Sequence, residues 1–298
     1  MTTKFDPQGY GNRDGYIWFN GELIAWRSAQ IHILSHALHY GSSVFEGERS
    51  YGGKIFANRE HTLRLLESAR QIDIDINYTP EEIEQAKAET LRINGLSDAY
   101  IRPVAWRADG PEMGISSTKN PCNLAIATWE WGRYYGSNDN TDEIKGIKLD
   151  ISDWQRPSEK MIPCHTKASG LYMICTISKH KAQMRGFSDA LMFDYRGYIA
   201  EATGANIFFV RDGEVHTPKP DCFLNGITRQ KVLELLKHRG IKIHERHIEP
   251  SEMESFEQCW LTGTAAEVEP VSQIRDYNFV VGKLAKTMVS DYNVLVRS

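Results

Sequence analysis

Lys167 stands in Met161-Ile-Pro-Cys-His-Thr-Lys-Ala-Ser-Gly-Leu-Tyr-Met173, among small residues and ahead of an apolar run. Lysines often begin helices as solvated charges, but a desolvated lysine can lose its proton and act as a Schiff-base nucleophile. Glu201, in Gly197-Tyr-Ile-Ala-Glu-Ala-Thr-Gly-Ala-Asn-Ile-Phe-Phe209, is a single carboxylate among small and apolar neighbours. It reads either as an exposed hairpin-end residue or as a buried acid that needs a cationic partner. Two Gly/Thr segments follow, Leu224-Asn-Gly-Ile-Thr-Arg229 and Leu261-Thr-Gly-Thr-Ala-Ala-Glu267. At a loop-to-helix junction such segments present backbone N–H groups and a hydroxyl to an anion. Taken singly each is ordinary capping. Together with the lysine and the carboxylate they suggest a phosphate-bearing cofactor. Pyridoxal 5'-phosphate needs this set: an amine for the Schiff base, an acid at the pyridine nitrogen, and donors for the phosphate.

A second constellation, His32, His36 and His39, could bind a metal, since positions 32 and 36 would share a helix face. No Asp or Glu stands at matching spacing, and Ile33, Leu34, Ala37 and Leu38 interleave the histidines. Helix-start or core histidines with satisfied hydrogen bonds are the better reading, and no metal is expected. No GxGxxG, P-loop, HExxH or GxSxG occurs, which weakens nicotinamide, nucleotide, zinc-protease and serine-hydrolase readings.

The elements that must position these groups are mixed. Tyr16–Trp26 predicts a hairpin turning at Asn20-Gly21, and 42–56 another at Gly52-Gly53. Helical spacing covers 60–72. Thr79, Pro80 and Glu82 predict a capped helix running to Ile93 and ended by Gly95. Strands are expected at 99–105, 123–131 and 146–151, and a helix at 167–185. A run of strands follows from 189 to 217, turning at Arg196-Gly197 and Asp212-Gly213. Then come a helix at 227–239, strands at 241–248 and 258–262, and a last helix at 282–294. The Gly/Ser/Asn/Asp-rich stretch 132–143 is the candidate linker. Without regular strand–helix alternation, the expectation is an α+β chain of two domains.

Bulk properties agree with that. The 298 residues, 41% hydrophobic and 25% charged, can bury a sizeable core. A net charge of −4 gives no basic footprint for nucleic acid, and no apolar run is long enough for a membrane span. The polar start, Met1 to Asp14, predicts no signal peptide. Five cysteines without a CxxC suit reduced thiols in the cytoplasm.

Several of these pieces together resemble the class IV (fold-type IV) pyridoxal-phosphate aminotransferases, branched-chain amino acid aminotransferases in particular. They are His36-Ala-Leu-His-Tyr-Gly-Ser-Ser-Val-Phe-Glu-Gly47, Ala99-Tyr-Ile-Arg-Pro103, Trp131-Gly132, Lys167-Ala168, Glu201-Ala-Thr-Gly-Ala-Asn-Ile-Phe208, Gly226-Ile-Thr-Arg229 and Thr262-Gly-Thr-Ala-Ala-Glu267. The resemblance implies a fold-type IV, D-amino acid aminotransferase-like architecture: a small α/β domain over 1–131, an interdomain loop over 132–143 and a large cofactor domain over 144–298.

It also implies roles. Lys167 anchors the cofactor and shuttles the proton, and Glu201 keeps the pyridine nitrogen protonated. Arg64, the N–H groups of Ile227 and Thr228, and the Thr264 hydroxyl bind phosphate. Tyr172 meets the phenolic oxygen. Tyr100 with the N–H groups of Thr264 and Ala265 holds the substrate α-carboxylate. Arg102, helped by Tyr40 and Tyr134, meets the distal carboxylate of glutamate. Phe45, Tyr40, Trp131, Tyr134 and Tyr172 form an aromatic pocket for an aliphatic side chain, with Arg49 on the Phe45 face. The family often has an aliphatic residue where Glu48 stands. By the two-residue strand period Glu48 points away from the Phe45/Gly47/Arg49 face. Met113-Gly-Ile115 resembles the piece that reaches a neighbouring subunit.

The activity implied is transamination of leucine, isoleucine and valine with 2-oxoglutarate by a cytoplasmic homodimer or assembly of dimers, with small amino and 2-oxo acids as its only partners. Sister activities (D-amino acid or (R)-amine transaminase, aminodeoxychorismate lyase), a metal hydrolase built on His32/His36/His39 and a non-catalytic binding protein are the alternatives.

Overall fold

A computed structural model describes residues 9–132, 134–135 and 144–298. Most of the expected loop 132–143 lies outside the described residues. The described chain forms two compact units. The first runs to Trp131 and takes in Thr166–Gly170; the second holds the remainder.

The first unit comprises β1 (Tyr16–Phe19), β2 (Glu22–Ala25), α1 (His36–Tyr40), β3 (Ser43–Phe45), β4 (Glu48–Tyr51), β5 (Lys54–Ile55), α2 (Asn58–Arg70), α3 (Pro80–Ile93), β6 (Ala99–Arg107) and β7 (Cys122–Trp129). Its sheet runs β2-β1-β7-β6-β4-β5, with β3 also on β6. Both expected hairpins form, and their turns need residues that tolerate positive φ: Asn20 and Gly21 at 49° and 97°, Gly52 and Gly53 at 56° and 84°. The Thr79 hydroxyl accepts from Glu82 N–H while Glu82 returns to Thr79 N–H, completing the capping box.

Strand alternation divides this unit's chemistry between two faces. Phe45 and Arg49 lie opposite Val104 and Tyr100 on β6. Glu46 and Glu48 take the other face, under α2 and α3. Glu48 is fully buried with both oxygens 2.9 Å from Lys87 Nζ of α3, which also donates to Thr62 Oγ1 at 2.7 Å. Glu48 therefore does point away from the Phe45 face. Burial raises its carboxyl above the usual range, and Lys87 offsets this only in part.

The second unit comprises β8 (Ile147–Ile151), α4 (Tyr172–Met184), β9 (Asp189–Phe193), β10 (Ile199–Ala202), β11 (Asn206–Arg211), β12 (Glu214–Pro218), α5 (Ile227–His238), β13 (Ile243–Arg246), β14 (Gln258–Gly263), β15 (Glu267–Ile274), β16 (Tyr277–Asn278) and α6 (Lys283–Leu295). The order β10-β9-β8-β15-β14-β11 closes on itself because β10 also pairs β11. The result is a barrel, with β12 and β13 continuing from β11. Leu149, Leu191, Ile207, Phe209, Leu261 and Val271 belong to its core. Alternate positions, such as Phe208 and Trp260, stack with each other instead (ring centroids 5.6 Å apart), the period-two division expected of strands.

Three local expectations are corrected. The helix expected at 167–185 begins only at Tyr172. Lys167 lies in an extended stretch whose carbonyl accepts from Phe45 N–H (3.1 Å) and whose N–H donates to Ser68 Oγ (3.1 Å), and Ala168 bridges Val44. These main-chain bonds hold Thr166–Gly170 to the first unit, although the sequence reading put it in one body with 144–298. The junction at Thr264 leads into no helix: Thr264–Ala266 is the tight turn of a β14–β15 hairpin, closed by Glu267 at φ 56°. Strand β15 itself was not foreseen.

Candidate active site

In the first unit, Phe45 carries two cations. Arg102 Cζ is 4.7 Å and Lys167 Nζ 5.1 Å from its ring centroid. Arg102 Nη2 donates to the Tyr100 hydroxyl at 2.9 Å, and its buried Nε has no hydrogen-bond partner among the described residues. Gly47 lets that hydroxyl in, since a Cβ there would lie 2.0 Å from Tyr100 Oη. Trp131 packs on Tyr100 (4.3 Å between centroids), and its carbonyl accepts from Arg49 Nη2 at 3.0 Å. The expected Phe45, Arg49, Tyr100, Arg102, Trp131 and Lys167 are thus gathered. Tyr40 is not: it is 46% exposed on α1 and donates to Met113 O.

Arg64, on α2, is held by Glu46, which the sequence reading overlooked. Arg64 Nε and Nη2 reach Glu46 Oε1 and Oε2 at 2.6 and 2.8 Å, and His61 Nδ1 lies 2.7 Å from Oε2. Burial alone would raise the Glu46 carboxyl, but the charges of Arg64 and His61 and their hydrogen bonds hold it well below the carboxylate range. With its Nε–Nη2 edge fixed, the guanidinium is a pre-oriented anion donor.

In the second unit Glu201 is buried, as its functional reading required, and a β-bulge aims it. The β9–β10 register shifts between Ile199 and Glu201. Ile199 and Ala202 therefore both enter the barrel core, and Glu201 faces away from it. Its cationic partner is Arg156, with Nε 3.2 Å from Glu201 Oε1 and Nη1 3.2 Å from Cys175 Sγ. Burial opposes the Arg156 charge, but Glu201 more than compensates. No sequence signal marked Arg156. Burial pushes the Cys175 thiol up to about 11.

Asn206 Nδ2 donates to Glu201 Oε2 at 3.0 Å. Gly226 ends an extended approach and starts α5, so the first N–H groups of Ile227 and Thr228 have no intrahelical partner. A Cβ on Gly263 would lie 3.4 Å from Gly204 O, so the hairpin turn carrying Thr264 and Ala265 sits beside the 203–205 turn. Tyr172 opens α4. The Tyr134 hydroxyl accepts from Lys179 Nζ at 2.8 Å, and Lys179 is itself anchored on buried Asp189. Within the first unit Tyr40 makes no described hydrogen bond to Arg102; Tyr100 does.

The three histidines make no common site. His32 Nδ1 accepts from Leu34 N–H. His36 bonds the Ser42 hydroxyl and the carbonyls of Gly114 and Ile115. His39 reaches the Ile33 carbonyl. Only His36 and His39 fall within α1, so the shared helix face expected of His32 and His36 does not exist.

The first unit offers an amine beside an aromatic ring and a pre-oriented guanidinium, and the second, by itself, a buried carboxylate and a helix start; each is a group type that a phosphate-bearing carbonyl cofactor uses. A family model described as amino-transferase class IV matches residues 43–274. The chain belongs to the class IV aminotransferases. A probable branched-chain-amino-acid aminotransferase of Rickettsia conorii is 39% identical over 286 residues, 95% of this chain and 96% of that protein. Two solved structures, covering 96% of this chain and 95% of their own, are similar throughout. One is the Thermoproteus uzoniensis branched-chain aminotransferase with norvaline (TM-score 0.90, 33% identity). The other is the Thermobaculum terrenum branched-chain amino acid aminotransferase in its PLP (holo) form (TM-score 0.86, 27% identity).

Proposed function

We propose that this enzyme uses pyridoxal phosphate to exchange an amino group between L-leucine, L-isoleucine or L-valine and 2-oxoglutarate, giving the branched-chain 2-oxo acids and L-glutamate. The observation that carries the reading is Phe45, with both the Lys167 amine and the Arg102 guanidinium over its ring. One aromatic surface suits an aliphatic side chain. The guanidinium over that ring, with a buried Nε–H lacking an acceptor among the described residues, suits a γ-carboxylate. Bound pyridoxal phosphate supplies the electron sink for the pair left when the substrate α-carbon loses its proton.

The chain's own groups do the rest. Lys167 is the anchoring amine and holds the proton leaving the α-carbon. Glu201 keeps the ring nitrogen protonated. Arg64, the Ile227 and Thr228 N–H groups and Thr264 hold the phosphate, and Tyr172 the phenolic oxygen. Tyr100 with the Thr264 and Ala265 N–H groups orients the α-carboxylate. Arg49 and Trp131 brace Tyr100. A panel of L-leucine, D-leucine and an (R)-amine with 2-oxoglutarate as acceptor tests the reading: turnover confined to the L-amino acid supports it, and preference for either other donor overturns it.

Ile33, Leu34 and Leu38 around α1 are exposed, as are Met113 and Ile115 (84%) on the loop that His36 and Tyr40 hold by its carbonyls. This exposed apolar patch supports a homodimer in which a second copy covers it. The five unpaired cysteines suit the cytoplasm, and no described helix is long and apolar enough to cross a membrane.

A further inference from the structure

Asn206 opens β11 directly opposite Glu201 in the β10–β11 register. It is 4% exposed, and its carboxamide makes three hydrogen bonds. Nδ2 donates to Glu201 Oε2 and to Leu224 O, each at 3.0 Å, and Oδ1 accepts from Gly226 N–H at 3.1 Å. These partners fix which end of the amide is which: a carboxylate and a carbonyl can only accept, and a backbone N–H can only donate. Gly226 is needed for the approach, because a Cβ there would fall 2.4 Å from Asn206 Oδ1. Gly226 is also the residue from which α5 starts. One buried side chain therefore ties the carboxylate read as the acid at the ring nitrogen to the turn that feeds the helix start read as the phosphate donor.

We infer that Asn206 is a positioning residue that sets the distance between Glu201 and the N-terminus of α5, and so the register of the two ends of pyridoxal phosphate. This rests on the reading proposed above. The cofactor is rigid across its ring, so an acid and a phosphate cradle that drift independently cannot both meet it. The Asn206 carboxamide is hydrogen-bonded to Glu201 and to the 224–226 turn at once, and so couples the two.

Two variants test it on the cofactor-loaded enzyme. Asn206→Ala removes both ties. Asn206→Asp keeps the shape but faces Glu201 and the Leu224 carbonyl with an acceptor, and two carboxyls so close must share a proton. Each should weaken pyridoxal phosphate binding by about tenfold or more in equilibrium dialysis, since a buried acceptor loses its donor. Asn206→Asp should in addition show a pH titration in the visible absorbance of the bound cofactor that neither the parent nor Asn206→Ala shows. A merely structural role would not produce that titration. Asn206→Ala with the parent's far-ultraviolet circular dichroism and parental cofactor affinity overturns the inference; it decides alone if Asn206→Asp does not fold. Failure of borohydride to trap the cofactor on Lys167 of the parent would instead overturn the functional reading beneath it.

Discussion

At the scale of single residues, the site has to serve two unlike side chains in alternate half-reactions. An apolar pocket would leave a γ-carboxylate without a partner, and a guanidinium projecting into the pocket would penalise leucine. Arg102 lies against Phe45 and is tethered by the Tyr100 hydroxyl. In the proposed reading it pairs with the γ-carboxylate of glutamate, and the aromatic and apolar lining takes leucine. Arg102→Leu should slow the glutamate half-reaction by an amount equivalent to about 2–5 kcal/mol, the usual cost of a lost buried charge pair, and the leucine half-reaction far less. Single-turnover rates on each amino acid decide this, and equal losses would give Arg102 the α-carboxylate instead. Lys167→Ala should abolish both turnover and the borohydride-reduced adduct seen by mass spectrometry, because covalent anchoring needs that amine. A surviving adduct would place the anchor on another lysine. The residue types at 45, 49, 102, 167 and 201 were legible in the sequence; their partners Glu46, Arg156 and Asn206 were not. Types declare what chemistry is possible, whereas partners come from segments far apart in the chain.

At the scale of elements, the segment from β3 to β4 works as a two-sided strip. Its odd positions, Phe45, Gly47 and Arg49, face the site residues of β6. Its even positions, Glu46 and Glu48, are fully buried against α2 and α3, where they meet Arg64 and Lys87. Glu46 is the residue through which this strip positions Arg64. Its folded carboxyl is held below the unfolded value of 4.5. The ion pair therefore contributes stability that is fully present above about pH 4.5 and lost as pH falls below it. Glu46→Gln should cost about 3–5 kcal/mol near neutrality, because it leaves Arg64 without its buried counter-charge. The gap to the parent should narrow as the pH drops below about 4.5. Urea denaturation at a series of pH values measures both effects, and a gap that does not change with pH would refute the assignment.

At the scale of the whole molecule, each unit has its own core, and the first also displays apolar side chains that its own core does not use. Leu38 on α1 and Ile115 on the adjoining loop are the clearest of these, 58% and 84% exposed. If a second copy covers them, Leu38→Asp combined with Ile115→Asp should convert a dimer to a monomer in light scattering. Circular dichroism should be unchanged, because neither side chain supports the fold of its own chain. A dimer that survives both charges would move the interface elsewhere.

The sequence by itself determined what depends on neighbours a few residues apart. The Asn20-Gly21, Gly52-Gly53 and Asp212-Gly213 turns follow from residues that accept positive φ. The Thr79 cap follows from a hydroxyl and a carboxylate three residues apart. The separation of Glu48 from Phe45 follows from the two-residue period of a strand. Only the tertiary structure decided that Lys167 lies in an extended segment bonded to β3 rather than in a helix, since Phe45 N–H lies over a hundred residues before the carbonyl it meets. It also decided that the Thr264 turn closes a hairpin, because β14 has β15 as a partner to fold back on. A bulge at the β9–β10 pairing turned Glu201 out of the barrel core, and Asn206 joined it to Gly226. Local periodicity fixes which face a side chain takes, but hydrogen bonds across long stretches of chain fix what it meets there, and those are set only when the sheet of each unit assembles.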